Sequence, residues 1–525
     1  MTTSDSPWIK IVSLPLPTLQ DNTADADRLI SALRAEIQAD HIDIDLDMLR
    51  QLPQQLRRWE YKTRCILFKD RQRWLLTGIT DPADTAPIAG LAVDLGTTRV
   101  VLRMVDLVTG ETLAESAFNN PQDTVGPDIL ARIHYAEQDG GLGRLNELIV
   151  GALNRAIEAL CTTVTMDPQN IYALALAGNT TMTHLFLGLP PRWIIREPYI
   201  PVVNTPPVVK AESLGIRVNP RARVLVFSNT GSYFGGDLIA GILYSEIYKR
   251  EETAILVDVG TNAEVVLGNK NWLIACAGAA GPALEGGVTR MGMTAGPGVI
   301  DKILIDPETR ELNIHTIEAK PPRGICGSGV IDLAAQLFLG GMIDIRGKFV
   351  PAECGRRLTE IDGLAHLTVV SDDQSGTESA LTISQADMDS LIRSKAAMYT
   401  ILETITASVG MTLRELKRFY VAGTFGSFID PRSAITIGML PDLPLDSYQV
   451  LGNSSLGGAT LALASAECLA EIDRIRDRVT YLELNVNQDF MNRFSAAKFL
   501  PHTNRSLFPS VRIWPQNKQD AGEVL

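Results

Sequence analysis

One pattern occurs twice in this chain. Leu91-Ala-Val-Asp-Leu-Gly-Thr-Thr98 and Ile255-Leu-Val-Asp-Val-Gly-Thr-Asn262 match almost residue for residue, with their aspartates 164 residues apart at Asp94 and Asp258. Repetition fixes an architecture more firmly than any single motif. Each copy is an apolar run ending in Asp-x-Gly-Thr, and each leads into two further apolar runs. These are Val100–Asp106 and Thr112–Phe118 after the first, and Ala263–Leu267 and Trp272–Cys276 after the second. Short apolar runs joined by glycine turns predict a three-stranded antiparallel meander in each half. The spacing then predicts a helix at Gly143–Cys161, strands at Ile171–Ala177 and Val224–Ser228, and a helix from Asp237 to Lys249. After the second meander it predicts helices at Gly329–Leu339, Gln385–Val409 and Leu456–Glu467, with a strand at Phe419–Ala422. Two related α/β lobes follow, expected at residues 88–252 and 253–525.

Residues 1–87 form a separate small α/β module. Leu29, Ile30, Leu33 and Ile37 recur at helical spacing, and Asp47–Trp59 predicts a second helix interrupted or offset at Pro53. Arg64–Phe68 and Arg73–Gly78 read as a strand pair, and Asp81–Pro87 as a linker.

A net charge of −13 argues against non-specific binding to nucleic acid or to an anionic membrane surface. No apolar run approaches the roughly 20 residues a membrane span needs, and the start of the chain lacks the pattern of a leader peptide, so a cytoplasmic protein is expected. The six cysteines (65, 161, 276, 326, 354, 468) include no close pair, and the six histidines form no HExxH. Iron–sulfur clusters take several thiolates in short local spacings, so none is expected in this chain.

The duplicated hairpin carries the chemistry. An apolar strand delivers an aspartate to a sheet end, and glycine lets the turn backbone approach a ligand closely. Thr97 and Thr98 in one copy, and Thr261 and Asn262 in the other, add polar groups beside backbone N–H donors. Such a set suits phosphate oxygens, with the aspartate holding a hydrated Mg²⁺. A single copy is weak, because tight hairpins use Asp and Gly for turn geometry alone. Downstream, Gly324-Ile-Cys-Gly-Ser-Gly329 opens a helix as a phosphate cradle, a close interlobe contact or a cap turn with Ser328 as cap. Phe419–Gly426 and Asn453–Ala459 are glycine-bearing segments against which a nucleoside can lie flat.

The order DLGTT, DVGTN, CGSG, AGTFG, SSLGGA resembles the five nucleotide-site motifs of the actin, sugar-kinase and Hsp70 superfamily: phosphate-1, phosphate-2, connect-1, adenosine and connect-2. By that resemblance the lobes are ribonuclease-H-like, and ATP sits between them. Asp94, Gly96, Thr97 and Thr98 belong to one phosphate loop, and Asp258, Gly260, Thr261 and Asn262 to the other. Gly423, Thr424, Phe425 and Gly426 approach the adenosine, Gly327 and Ser328 lie in connect-1, and Gly457 and Gly458 in connect-2. Asp94 and Asp258 are then the metal-binding and catalytic carboxylates.

Longer stretches narrow the resemblance: Ala177–Gly188, Gly231-Ser-Tyr-Phe-Gly-Gly-Asp237 and Cys276–Gly287. Almost the whole chain resembles the reductive activators of corrinoid-dependent methyltransferases, whose linker domain corresponds to the first 85 residues. The resemblance implies an ATPase acting on a corrinoid protein, helping return Co(II) cobalamin to Co(I), and favours a dimer. It implies a ferredoxin-type domain as well, which this sequence does not contain. Either the electron comes from a separate ferredoxin-type protein, or this chain does something other than reduction. A small-molecule kinase and a nucleotide-dependent regulatory protein are the alternatives on the same scaffold. Glu285 either polarises the attacking water or anchors its glycine-rich loop. Asn179 and Thr180 read as helix caps or as part of a lobe or partner interface, and His184 as a structural histidine.

Overall fold

The computed structural model describes residues 6–260, 263–278, 289–423, 429–484 and 490–512. The chain divides into two compact units, Met1–Tyr244 with Ser454–Arg478, and Ser245–Asn453 with Val479–Leu525.

The first unit begins with a four-stranded sheet in the order β1-β3-β4-β2. Its strands are β1 (Ile9–Ser13), β2 (Ile42–Ile44), β3 (Lys62–Asp70) and β4 (Arg73–Thr80), with helices α1 (Asp25–Ile37) and α2 (Leu46–Arg58). Leu29, Leu33, Met48, Leu52 and Leu56 lie buried against Cys65, Leu67 and Leu76. The expected strand pair is therefore the centre of a sheet with two flanking strands too short to stand out in sequence. Pro53 does not interrupt α2. It lies on the exposed face, so the Leu49 carbonyl that loses its N–H partner there belongs to the solvent side of the helix.

A second sheet follows in the order β7-β6-β5-β8-β10-β9. It comprises β5 (Ala89–Leu95), β6 (Arg99–Asp106), β7 (Thr112–Asn119), β8 (Ile171–Gly178), β9 (Val209–Lys210) and β10 (Arg223–Val226). Around it run α3 (Ile129–Ala136), α4 (Gly141–Val164), α5 (Thr180–Leu187) and α6 (Gly236–Ser245). Leu145, Ile149, Leu153 and Ile157 of α4 recur every four residues and pack into one core with Leu91, Val93 and Leu95 of β5. Each such buried side chain stabilises the unit by roughly 1.5–3 kcal/mol relative to exposure.

The second unit carries a matching sheet, β21-β20-β11-β12-β13-β22. Its strands are β11 (Ala254–Val259), β12 (Ala263–Gly268), β13 (Leu273–Gly278), β20 (Arg418–Ala422), β21 (Tyr448–Gly452) and β22 (Val479–Tyr481). In each unit an antiparallel meander is extended by parallel strands on the side of its first strand. Asp94 lies across from Val101 in the antiparallel partner and Ala177 in the parallel one. Asp258 lies across from Glu264 and Ala422 in the same arrangement. The repeat seen in sequence is thus a repeat of register.

The second unit also holds two three-stranded sheets that sequence reading did not anticipate. One joins β14 (Val299–Ile305), β15 (Leu312–Thr316) and β16 (Gly324–Ile325); the other joins β17 (Leu358–Ile361), β18 (Leu364–Val370) and β19 (Leu381–Ser384). Its helices are α7 (Gly327–Leu339), α8 (Pro351–Cys354), α9 (Gln385–Ser408), α10 (Pro431–Thr436) and α13 (Phe490–Ala497). The remaining helices, α11 (Ser454–Ala464) and α12 (Cys468–Arg478), lie inside the span expected for the second lobe. They pack instead in the first unit, with α11 laid over β5, β6 and β8.

Candidate functional site: two aspartate–glycine hairpins

The first hairpin joins β5 to β6 through Gly96, Thr97 and Thr98. A Cβ on Gly96 would stand 2.2 Å from the Arg99 carbonyl oxygen, so the turn closes only with glycine there. Asn120, buried at the end of β7, grips the turn: its N–H donates to the Thr98 carbonyl at 2.8 Å and its Nδ2 to the Gly96 carbonyl at 3.0 Å. From the end of β8, Asn179 donates through Nδ2 to Thr97 Oγ1 at 2.9 Å. Asp94 is half-buried, and one of its oxygens accepts the Ser455 hydroxyl at 2.8 Å.

Ser455 comes from the start of α11, the helix of the expected connect-2 motif. Gly457 and Gly458 serve helix packing. A Cβ at 457 would lie 2.6 Å from the Tyr244 ring, and one at 458 would lie 2.2 Å from the Ala240 carbonyl of α6. The glycines let α11 and α6 cross at backbone distance, which sets the Ser455 hydroxyl against Asp94.

In the second unit Asp258 ends β11 in the same half-buried state, followed by Gly260. Gly423, at the end of β20, has φ +88°, a left-handed conformation that favours glycine. Its missing Cβ would stand 2.8 Å from Asp258 Oδ1 and 2.6 Å from the Val259 carbonyl. The bare backbone at 423 therefore faces the Asp258 carboxylate. Thr261, Asn262, Glu285, Thr424, Phe425 and Gly426 lie outside the described residues.

Gly327 and Ser328 are buried in the first turn of α7. The N-cap is Cys326 rather than Ser328, and it makes no side-chain cap. Ser328 instead meets Cys326 Sγ at 3.1 Å, while that thiol also reaches the Ile300 carbonyl at 3.3 Å. A Cβ on Gly329 would lie 2.4 Å from the same carbonyl, so this glycine-rich run brings α7 onto β14. Asp332, one helical turn further, is buried, which raises its carboxyl above the usual range; it accepts Ile303 N–H and the Ser433 hydroxyl.

His184 has both ring nitrogens engaged. Nδ1 lies 2.7 Å from the Thr180 carbonyl and so carries the proton; Nε2 accepts the Val202 N–H at 3.0 Å. Burial lowers its basicity, and the ring is a neutral structural brace. All six cysteines are buried thiols. Among the described residues no three His, Cys, Asp or Glu side chains are grouped to hold a metal ion. Three contributors to the first hairpin escaped sequence reading: Asn120, Ser455, and the contact of Asn179 with Thr97. The only signal for Asn120 was the Asn-Pro turn after β7, and Ser455 lay inside a motif noted for its glycines.

Comparison with known proteins accounts for nearly the whole chain. Residues 6–86 match the RACo linker region, 89–250 the RACo middle region, and 252–512 the C-terminal domain of RACo, the ASKHA domain. The corrinoid activation enzyme RamQ of Eubacterium limosum is 30% identical over 416 residues, spanning 78% of this chain and 70% of RamQ. A [Co(II) methylated amine-specific corrinoid protein] reductase of Methanosarcina barkeri is 24% identical over 437 residues, spanning 77% and 75%. A solved structure, a reductive activator for corrinoid, iron-sulfur protein, superposes with a TM-score of 0.87 at 38% identity, covering 96% of this chain and 81% of that one. With the duplicated hairpins in place, these similarities show that the chain belongs to the RACo family of corrinoid reductive activators and carries its ASKHA domain.

Proposed function

We propose that this chain uses Mg²⁺-ATP to help reduce the Co(II) form of a corrinoid protein to Co(I), with the electron supplied by a separate ferredoxin-type protein. The observation that carries the reading is the strand-end aspartate on a glycine hairpin, repeated in register, in a chain whose relatives are named for corrinoid activation.

The donor set fits a metal-bound nucleotide. Mg²⁺ commonly keeps several waters and takes only one or two carboxylates alongside phosphate oxygens, so Asp94 and Asp258 suffice without a preformed cage. Bound Mg²⁺-ATP would supply a phosphoryl group for transfer to water. The chain's residues would do the positioning, which is most of catalysis in phosphoryl transfer. Asp94, steadied by Ser455, and Asp258, faced by the bare backbone of Gly423, would be the carboxylates that hold the metal ion. The backbone and hydroxyls of Thr97 and Thr98 would contact phosphate oxygens, as would Gly260, Thr261 and Asn262, and Glu285 would polarise the attacking water. Nucleotide turnover then biases the conformation that grips the corrinoid protein, since a ligand shifts an equilibrium by its differential affinity for the two states. The dispersed cysteines are the reason for assigning electron delivery to another protein. A homodimer is proposed on the resemblance alone.

The test is reconstitution. The chain, ATP, a low-potential ferredoxin and a Co(II) corrinoid protein together should give the Co(I) absorption spectrum, and omission of any one should not. Asp94→Ala and Asp258→Ala should each abolish Mg²⁺-dependent ATP turnover with the fold retained. Normal turnover in both variants, or turnover stimulated by a small-molecule acceptor instead of the corrinoid protein, would overturn the reading.

A further inference from the structure

The first hairpin is tied to the helix behind it by one side chain whose atoms can be assigned without ambiguity. Asn179 caps α5: its side-chain oxygen accepts the Met182 N–H at 2.9 Å. A backbone N–H can only donate, so that atom is the oxygen and the other is the amide nitrogen, which can only donate. Its contact with Thr97 Oγ1 at 2.9 Å is therefore a bond in which the threonine hydroxyl accepts. With an acceptor site of that hydroxyl filled by Asn179, its single proton points elsewhere.

Asn120 acts on the same turn from the other side, and its assignment is equally fixed, because its Oδ1 accepts the Gln122 N–H at 3.1 Å. Its Nδ2 and N–H draw the Gly96 and Thr98 carbonyls toward it. In a trans peptide the N–H points opposite to the carbonyl, so the Thr97 N–H is turned away from Asn120. The two asparagines thus take up acceptor positions of the turn and leave the Thr97 N–H and hydroxyl proton directed away from them, the polarity that a phosphate group recognises.

Resting on the nucleotide reading above, we infer that Asn179 is a positioning residue that makes the Thr97 hydroxyl a donor to a nucleotide phosphate and couples that contact to the N-terminus of α5. Asn179 touches no phosphate itself; it acts through Thr97.

Asn179→Asp isolates this role. Aspartate caps a helix as well as asparagine does, so the bond from Met182 N–H survives, but a carboxylate cannot donate to Thr97 and draws the hydroxyl proton to itself. The expected result is unfolding within about 2 °C of wild type and affinity for a fluorescent ATP analogue about tenfold weaker. Thr97→Val should weaken binding by a similar factor. The decisive measurement is the double variant. If Asn179 acts through Thr97, Asn179→Asp added to Thr97→Val weakens binding no further than about twofold. A role in charge or general packing gives losses that multiply, and that outcome overturns the proposal. Asn179→Ser, which can cap α5 and offers a hydroxyl donor, should recover part of the affinity. Wild-type affinity in Asn179→Asp, with Asp94→Ala still defective, overturns the inference and leaves the nucleotide reading intact. No nucleotide binding by the wild-type chain overturns both.

Discussion

Gly458→Ala should destabilise the first unit, against the usual preference of helices for alanine. In the interior of an exposed helix, Gly→Ala stabilises by about 1 kcal/mol, because glycine has more backbone freedom to lose. At position 458 the new methyl would stand 2.2 Å from the Ala240 carbonyl oxygen and 2.6 Å from both Ala240 Cα and its carbonyl carbon. All three are backbone atoms of α6, so no side chain can rotate away. Relief requires α11 and α6 to separate by about 1 Å, a form of overpacking that costs about 1–3 kcal/mol. The upper part of that range applies, and the net loss after the propensity gain is about 2 kcal/mol. For a unit of this size that lowers the unfolding midpoint by about 4–6 °C. Gly151→Ala is the control: it lies within α4, and its Cβ would meet only the Arg155 guanidinium, at 3.5 Å, an ordinary contact with a flexible side chain. That variant should unfold at the same temperature or about 2 °C higher. The functional consequence travels along α11. Ser455, one turn before Gly458, bonds Asp94 at 2.8 Å, and a 1 Å displacement breaks a bond to a charged acceptor. ATP turnover should then fall about tenfold. Circular dichroism against temperature and phosphate release measured on both variants decide the matter. Equal or higher stability in Gly458→Ala would refute the close helix crossing, and unchanged turnover with lowered stability would refute the link to Asp94.

Two further predictions concern buried groups. His502 is buried beside Lys395, and burial first, then that neighbour, lowers its pKa to about 4. Because the folded value lies below the unfolded one, the neutral ring stabilises the fold fully above about pH 6.5, and this is lost as pH falls through about 4. The loss is on the order of 3 kcal/mol, and His502→Phe, which keeps the tilted ring contacts with Tyr399 and Phe508, should give a flatter stability profile between pH 7 and 5; an unchanged profile contradicts the assignment. The thiols should be inert in the folded chain, since burial pushes Cys276 up to about 12 and Cys354 to about 11. A thiol reagent at pH 8 should label the six cysteines only after denaturation, and rapid labelling of Cys276 or Cys354 in the native protein would contradict their burial.

The sequence was most legible where local chemistry and tertiary structure demand the same thing. The meander strands fall within two residues of their expected bounds, because apolar runs between glycine turns have one favourable conformation in each case. Helix α4 was read for the same reason: one face supplies Leu145, Ile149, Leu153 and Ile157 to the core. The four-residue β17 and β19 and the two-residue β16 left no trace, since strands so short carry no period and are held by their neighbours. The place of α11 was hidden for a different reason. Its sequence is apolar and small almost all round, which says that it is buried but not against which sheet.

The glycines show where reading by motif stops. Sequence resemblance marks Gly96, Gly423, Gly457 and Gly458 as nucleotide-site residues, and a ligand approaching bare backbone is the natural explanation for each. In the structure each of these positions already has an occupant: the Arg99 carbonyl, the Asp258 carboxylate, the Tyr244 ring and the Ala240 carbonyl respectively. Their lack of a side chain serves the protein first. Gly96 closes the turn that presents Thr97, Gly423 lets backbone face Asp258, and Gly457 with Gly458 lets α11 carry Ser455 to Asp94. Glycines that admit another part of the chain at backbone distance are conspicuous in a motif because they are small. The contacts by which Asn120 and Asn179 set the geometry are visible only in three dimensions, since each bonds atoms that are distant in sequence. A substitution at any of the four glycines therefore acts on Asp94, Asp258 or Thr97 through packing, and its effect on turnover should scale with its effect on stability. Substitutions at Asn179 that keep the cap should separate the two.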